Sequence, residues 1–447
     1  ENFFKNSSIS SWFSNLKLRA SYGMMGDDNL GGLYPDFAYL SGYTYYKGQS
    51  LMPDDPFSSV KSKKVIGSAP KGIPVTTISW MKIKLMNVGI DFGFFDNRLT
   101  GEFDLFKRMR DGIPGTPSDI MFPLETGLSA LPENMNSDMT VGFDAFVKWN
   151  DKVGDLKYSV GANITFARQK NGKRHGEIFG NAWDKYRWAQ SNRWSNVVLN
   201  TDQGNAGGVW MWEVIGRFET QEQIDSYPVD QDGQNNATVR PGDVILRDVN
   251  GDGIINDFDE RPQAYASADW PWDSSTSNKN PLISMGINVG FEWKGFDVAA
   301  DFAGGFKNTF VADWDLKWGV TRSVNGYYYN NIDVWRHEDI FDPKSPWIPG
   351  KFPALRGQES HSGRWWNSFY TREVNYLRLR NLVVGYSLPK NWIRKVGMEQ
   401  CRIYFQGTNL FCLSSLHDYG FDPEISTVNG QDYPQHKVLT LGVNVKF

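Results

Sequence analysis

The sequence contains no apolar run close to the roughly 18 residues that a transmembrane helix requires. Hydrophobic residues make up 40% of the chain, and its mean hydropathy is −0.48. The absence of such a run excludes a helical membrane protein. They do not exclude a β-barrel, because the strands of a barrel alternate apolar and polar side chains and leave the average hydropathy low.

Residues that carry out chemistry are also scarce. Cys401 and Cys412 are too few for a disulfide framework or a cysteine-rich zinc site. The five histidines lack metal-ligand spacing, and no Walker loop, Rossmann fingerprint or nucleophile elbow is present. We therefore expect that the chain is not an enzyme. The net charge of −4 provides no basic field, so nucleic acid is not an expected partner.

Aromatic residues and glycine are abundant by contrast. The chain has 18 Trp, 19 Tyr and 29 Phe, which together make 15% of its residues, and 44 Gly. This composition suits a membrane barrel with aromatic girdles and many turns. It equally suits a soluble β-sandwich whose aromatics bind carbohydrate, and composition alone leaves both classes open.

Strict alternation of apolar and polar residues decides between these classes. A strand sends successive side chains to opposite faces, so one lipid-facing and one watery side produce a period of two. Leu156, Tyr158 and Val160, for example, alternate with Lys157 and Ser159. The segments with this pattern are residues 16–23, 87–95, 139–149, 156–167, 283–293 and 439–447.

The connections between these segments are of two kinds. Short turns rich in Gly, Asn and Asp occur at 96–97, 150–155 and 294–295, as antiparallel hairpins require. Long irregular stretches cover roughly 24–80, 109–137, 169–280 and 307–372. This asymmetry predicts an all-β, antiparallel transmembrane barrel of about ten strands here, with long extracellular loops.

One long stretch contains a calcium-type loop. Residues 248–259 match the twelve-residue EF-type pattern, with Gly253 at the sixth position for the sharp turn. Asp replaces the usual Glu at position twelve, and no helices flank the loop. The alternative is an Asx-rich turn without metal. The predicted calcium ligands are Asp248, Asn250, Asp252, Ile254 through its carbonyl, Asn256 and Asp259.

Several stretches resemble a known family in the order in which that family has them. They are residues 12–23, 87–99, 241–259, 376–389, 402–411 and 420–424, and they include NLKLRASYG, PGD before the calcium-type loop, YLRLRN and GFDPE. Together with the final strand they resemble the barrel of SusC/RagA-type TonB-linked outer-membrane transporters.

The resemblance implies that residues 1–447 form the C-terminal part of a 22-stranded barrel. The calcium-type loop, with its flanks at 243–262, would lie within an extracellular loop. The resemblance also implies a SusD-like surface lipoprotein as partner and a TonB system that acts through an N-terminal plug. By the resemblance, that plug has no counterpart in this chain. We also expect no signal peptide here, because the sequence begins without Met, a basic region or an apolar region.

The expected function is therefore TonB-dependent import of a large nutrient, an oligosaccharide or an oligopeptide, across the cell outer membrane. The alternative is a surface β-rich protein that binds glycans or acts as an adhesin. Aromatic rings in the long stretches could bind the substrate or pack the loops on one another. The substrate-binding candidates are Trp183, Trp188, Trp210, Trp314, Trp365 and Trp366.

Overall fold

The structure is a computed structural model, and all structural statements below refer to the residues that it describes. These are 13–28, 39–46, 67–70, 73–77, 79–115, 117, 123, 130–171, 173, 182–183, 186, 209–264, 281–311, 333–354, 367–417, 421–424, 433 and 435–447.

Ten long strands form one antiparallel sheet. Each strand pairs with the one before it, so their order in the sheet is their order in the chain. The all-β antiparallel architecture and the predicted number of strands are thus confirmed. The strands are β1 (Phe13–Asp27), β2 (Met81–Phe94), β3 (Leu99–Gly115), β4 (Glu133–Val153), β5 (Leu156–Asn171), β6 (Ile283–Trp293), β7 (Phe296–Val311), β8 (Thr371–Ser387), β9 (Gln400–Ser414) and β10 (Val438–Lys446).

The first and last strands of this sheet do not pair with each other in the described part of the chain. The sheet is therefore open and corresponds to part of a barrel wall. Within the same residues, no helix is long and apolar enough to cross a membrane.

The connections separate by length, as predicted. Four short ones lie at one end of the sheet, and the longest of them carries the helix Lys390–Ile393 and the 3-10 helix Arg394–Val396. Five long ones lie at the other end, because each follows an odd-numbered strand of the antiparallel series. The strands reach further than the alternation indicated. β4 continues to Val153, so the predicted turn at 150–155 narrows to Gly154 and Asp155.

The two faces of the sheet differ sharply. Directly opposite residues share a face, and the apolar row Leu18, Ile90, Phe103 and Ala145 continues from strand to strand. We call this side the apolar face. Many of its side chains are exposed, and Leu18 and Leu441 are each 78% exposed. No layer of this chain covers the face within the described residues.

Ion pairs mark the other side, which we call the polar face. Arg19 donates to Asp91 from Nε and to Asp104 from a terminal nitrogen, each over 2.7 Å, and so joins three neighbouring strands. Arg402 of β9 pairs with Asp297 of β7 in the same manner. The polar face is thus organised by charges that reach across strands.

The connection between β5 and β6 folds into a unit that we call the connecting lobe, residues 209–264. A buried cluster of Phe218, Ile224 and Val239 forms its core, with Tyr227 and Ile245 packed against it. Its elements are two strand pairs, Val209–Met211 with Arg261–Ala264 and Val214–Arg217 with Val244–Leu246, the helix Gln221–Asp225 and the 3-10 helix Asp257–Asp259.

Three smaller elements complete the long connections. The strands Tyr43–Tyr46 and Gly67–Pro70 pair between β1 and β2. The strands Arg336–His337 and Trp347–Ile348 pair between β7 and β8, where the 3-10 helix Ser368–Tyr370 leads into β8. The sequence pattern did not predict these short pairs, because two to four residues are too few to show a period.

Candidate functional site

The predicted calcium-type loop lies in the connecting lobe, between the strands Val244–Leu246 and Arg261–Ala264. Asp248, Asp252 and Asp259 each offer a carboxylate oxygen, and these atoms lie within 4.8 Å of one another. Asp259 is buried, Asp248 is half-buried and Asp252 is exposed. Positions one, five and twelve of the motif therefore converge on one point.

Left-handed glycines shape the start of the loop. Gly251 and Gly253 have φ angles of 75° and 80°, which residues with a β-carbon adopt only at a cost. The bend turns both of their amides toward Asp248. Its two carboxylate oxygens accept hydrogen bonds from the Gly251 N–H at 2.6 Å and the Gly253 N–H at 2.9 Å.

Asp252 is surrounded by donors from the loop itself. It accepts hydrogen bonds from the Ile254 N–H at 2.9 Å and the Asn250 side-chain amide at 2.8 Å. Asn256 adds a third, at 3.2 Å. The pKa of Asp252 is lowered, first by the bond from the Ile254 backbone and then by the Asn250 amide. The carboxylate thus carries its negative charge at neutral pH.

Asp259 closes the loop. One of its oxygens accepts a hydrogen bond from the Val249 N–H and the other from the Asn256 N–H, each at 2.9 Å. The second bond forms half of a capping box at the 3-10 helix Asp257–Asp259. From outside the loop, Asp230 binds the Gly253 carbonyl through its N–H and the Ile255 N–H through its own carbonyl.

The donor set suits a hard divalent cation. Carboxylate, amide and main-chain oxygens stand at the spacing that calcium requires, and the cluster is negatively charged. The same hydrogen bonds also satisfy a loop of successive Asx turns. The geometry is compatible with both interpretations weighed from the sequence.

Trp183 is the one tryptophan candidate whose side chain the structure describes. Its ring stacks on Tyr186 at 5.3 Å and meets the edge of Phe258 at 5.4 Å, and the guanidinium of Arg261 lies over it at 5.4 Å. Phe258 belongs to the calcium-type loop, so two predicted sites are neighbours. Trp210 lies in the strand Val209–Met211 and only its backbone is described, whereas Trp188, Trp314, Trp365 and Trp366 lie outside the described residues.

A contact that the sequence did not reveal ties the calcium-type loop to the sheet. Trp212 donates from its indole nitrogen to the Asn256 carbonyl at 2.8 Å. Its own carbonyl accepts from the Ser368 N–H at 2.9 Å, directly before β8. A tryptophan 44 residues from its acceptor leaves no local signal, so only the folded structure identifies this link.

A second group that the sequence did not identify is a cluster of charges on the polar face. Arg378 forms ion pairs with Asp422 at 2.5 Å and with Glu424 at 3.0 Å. Arg380 reaches Glu424 at 2.7 Å and the Gln435 side-chain carbonyl at 3.0 Å. The four charged residues stand in two of the stretches that carry the family resemblance, YLRLRN and GFDPE. The two arginines in one stretch and the two acidic residues in the other were the only sequence feature that could have indicated this cluster.

The comparisons with known proteins find similarity to TonB-dependent receptors. Among curated proteins, the TonB-dependent receptor SusC of Bacteroides thetaiotaomicron is 23% identical over 459 residues. The TonB-dependent receptor P3 of Formosa agariphila is 23% identical over 475 residues. Each alignment covers 100% of this chain. The resemblance to SusC/RagA-type transporters is thereby confirmed, and these relatives are receptors and not enzymes. No family model matches the chain.

Solved structures agree on the fold. The RagAB peptide importer in its open-open state superposes with a TM-score of 0.64 at 19% identity, covering 99% of this chain and 42% of that one. The structure of the RagAB peptide transporter gives a TM-score of 0.62 at 20% identity, with the same coverage. The chain spans 39% and 40% of the length of SusC and P3.

Proposed function

We propose that this chain forms the last ten strands of an outer-membrane barrel that imports a large nutrient in a TonB-dependent manner. The observation that carries the proposal is the open antiparallel sheet with one continuous apolar face and one ion-paired polar face. Lipid would cover the first face and the second would line the plugged interior. The full-length relatives, which are TonB-dependent receptors, support the same function.

The partners and the cargo belong to this proposal. A SusD-like surface lipoprotein would cover the end of the long connections, and the TonB system would act through a plug outside this chain. The cargo would be an oligosaccharide or an oligopeptide, bound in part by the tryptophans of the long connections. The similar RagAB structure is that of a peptide importer, and the rings of tryptophan stack on sugars and peptides alike.

The test begins with the native protein in isolated outer membranes. We expect detergent-dependent extraction, heat-modifiable migration and co-purification of one lipoprotein. Disruption of the gene should abolish uptake of one class in a panel of labelled oligosaccharides and oligopeptides, and disruption of TonB should abolish the same uptake. A protein released from cells without detergent would contradict the proposal and favour the surface glycan-binding or adhesin protein.

We also propose that the loop Asp248–Asp259 binds calcium. Six oxygen donors at EF-type spacing, two left-handed glycines and three converging carboxylates support this assignment. In the bound form, Asp248, Asn250, Asp252, Asn256 and Asp259 would supply side-chain oxygens and Ile254 its carbonyl. Calcium there would neutralise the carboxylates and stiffen the connecting lobe.

The calcium test compares two neutralised carboxylates of one loop. Calcium should raise the melting temperature of the wild-type protein and slow hydrogen exchange across the lobe. Asp252→Asn should remove both effects. Asp257→Asn removes the same charge at an exposed position outside the predicted ligand set, so it should keep them. No calcium response in the wild type would decide for the metal-free Asx loop.

A further inference from the structure

The cluster on the polar face joins the last long connection to the sheet. Its members are Arg378 and Arg380 of β8 and Asp422, Glu424 and Gln435 of the connection between β9 and β10. Only 5% of the Arg378 side chain is exposed, and only 9% and 8% of its partners Asp422 and Glu424. Gln435 also donates to the second oxygen of Glu424 at 2.8 Å. We call these five residues the inner cluster.

The cross-strand register places the inner cluster on the inside of the wall. Arg378 stands opposite Ala303, Ala303 opposite Gly286 and Gly286 opposite Asn163. Asn163 belongs to the polar row of β5, and directly opposite residues share a face. The register with β7 shifts between Leu379 and Asn381, so Arg380 is the extra residue of a β-bulge there. Bulges redirect side chains, and here both arginines reach one carboxylate.

Apolar packing extends the attachment toward the loop end. Phe310 and Val374 are buried on the polar face together with Leu416, and Phe421 packs against them with its ring 5.8 Å from that of Phe310. Ser415 is hydrogen-bonded to Asn375 in both directions, at 3.0 Å each. The described residues of the connection therefore lie over the polar face of β7, β8 and β9.

We propose that the inner cluster fixes residues 421–424 and Gln435 of this connection against the sheet as part of the wall of the entrance, where they limit the size of what can pass. Arg378 and Arg380 act as positioning residues for Asp422 and Glu424. Removing one partner of a desolvated ion pair leaves a buried charge unpaired, so the arrangement resists opening. The part of the proposal that concerns passage rests on the proposed function, whereas the fixed attachment does not.

The fixed attachment is tested by hydrogen exchange on the full-length protein in detergent or lipid. We compare the wild type with Asp422→Asn/Glu424→Gln, which keeps shape and removes both charges. Exchange at residues 415–417 and 421–424 should become at least 10-fold faster in this variant. The matched control is Glu399→Gln, which breaks the exposed pair with Lys446 at the other end of β9 and β10 and should change nothing there. Equal exchange in all three proteins would overturn the proposal.

The size limit is tested with Cys412, which stands opposite Arg378 on the polar face. In a Cys401→Ser background it is the single thiol of this chain, and other cysteines of the full-length protein are replaced as well. In intact cells, a small maleimide should label Cys412 in all variants. A 5 kDa polyethylene-glycol maleimide should label only Asp422→Asn/Glu424→Gln. Equal labelling of the wild type by the large reagent would overturn the size limit.

Arg378→Lys separates a positioning role from simple structure. Lysine keeps the charge but cannot reach two carboxylates with a planar fork. We expect folded, heat-modifiable protein with partial loss of protection at residues 421–424. If only the proposed transport function is wrong, the variants will show the expected exchange differences but the wild type will take up no nutrient. If only the fixed attachment is wrong, uptake will occur but exchange will be equal in all variants. Full protection in Arg378→Lys would contradict a requirement for an arginine that contacts both carboxylates.

Discussion

The ten-stranded sheet and the connecting lobe differ in whether they bury their apolar side chains. The sheet leaves its apolar face uncovered by the described residues of this chain, with Leu105 52% exposed in the middle of β3. The lobe buries Phe218, Ile224 and Val239 against one another within residues 209–264. The lobe buries its own apolar core, whereas the sheet leaves an apolar face that lipid would cover under the proposed function.

Their polar groups differ in the same sense. On the sheet, charges pair with residues on other strands, as Arg19 does with Asp91 and Asp104. In the lobe, the carboxylates of Asp232, Asp248 and Asp252 accept hydrogen bonds mostly from nearby backbone amides. The hydrogen-bond partners of these lobe carboxylates are therefore near them in the sequence, whereas the ion pairs of the sheet depend on the strand register.

The largest expected effect comes from placing a charge on the apolar face of the sheet. Leu105→Arg should destabilise the protein in lipid vesicles by about 2–4 kcal/mol if the residue lies near the bilayer midplane. Ile215 has nearly the same exposed fraction, 49%, but belongs to the lobe and not to the sheet. Ile215→Arg should therefore stay within about 0.5 kcal/mol. Denaturant unfolding of both variants measures this, and equal effects would contradict lipid contact of the sheet.

The second prediction concerns the buried carboxylate of the lobe. Asp259→Ala leaves the amides of Val249 and Asn256 without their acceptor and should cost the lobe about 1–3 kcal/mol. Asp257→Ala, at an exposed position in the same 3-10 helix, is the control. Hydrogen exchange should show the loss inside residues 209–264 and not in β1–β10. A loss spread over the whole sheet would show that the lobe is not a separate unit.

The third prediction compares one glycine from each region. A β-carbon would meet no neighbouring atom at either Gly23 of β1 or Gly253 of the lobe, but only Gly253 has a positive φ. Gly253→Ala should therefore cost about 1–2 kcal/mol from backbone strain alone. Gly23→Ala should cost nothing. Local exchange rates measure both, and an unstrained Gly253→Ala would remove the geometric argument for the sharp turn.

The smallest effect is a pH dependence of the lobe. Burial opposes ionisation of Asp232, but hydrogen bonds from the Thr238 backbone and side chain and from the Gln234 and Asn236 backbone amides outweigh it and lower its pKa. A lowered pKa stabilises the folded state above the unfolded value of about 3.9. That stability is lost as pH falls through the folded value.

Hydrogen exchange at residues 230–240, corrected for intrinsic rates, should accordingly stay constant from pH 7 to about pH 5 and quicken below about pH 4. Asp232→Asn should exchange faster at neutral pH and lose the acid dependence. An unchanged acid response in Asp232→Asn would assign the effect to another carboxylate.

The alternation of residues such as Leu156–Phe166 was sufficient to predict the sheet, because each strand records its two environments in a period of two. The strand β6 begins and ends where predicted, at Ile283 and Trp293. Strand ends were missed elsewhere. β4 runs on through Asn150–Lys152, which are typical of turns, because they pair with β5. Pairing across strands outweighs local preference at such positions.

The candidate calcium site likewise has features that the sequence predicted and features that it did not. Its spacing of Asp, Asn and Gly is a local property, and the structure brings Asp248, Asp252 and Asp259 together as the motif predicts. Its attachment through Trp212 to the start of β8 is not local and was not predicted. The roles of the tryptophan candidates stay predictions, and the one described ring, Trp183, packs on the loop that contains Phe258.

By itself, the sequence determined the strand type, the two faces of the sheet, the sorting of short and long connections and the calcium-type loop. Each of these follows from spacing within a few residues. The tertiary structure alone decided which charges meet, as in the pairing of Arg378 with Asp422, 44 positions apart. The physical reason is that a period of two assigns each side chain to a face, whereas register, bulges and the folding of a connection over that face select its partner.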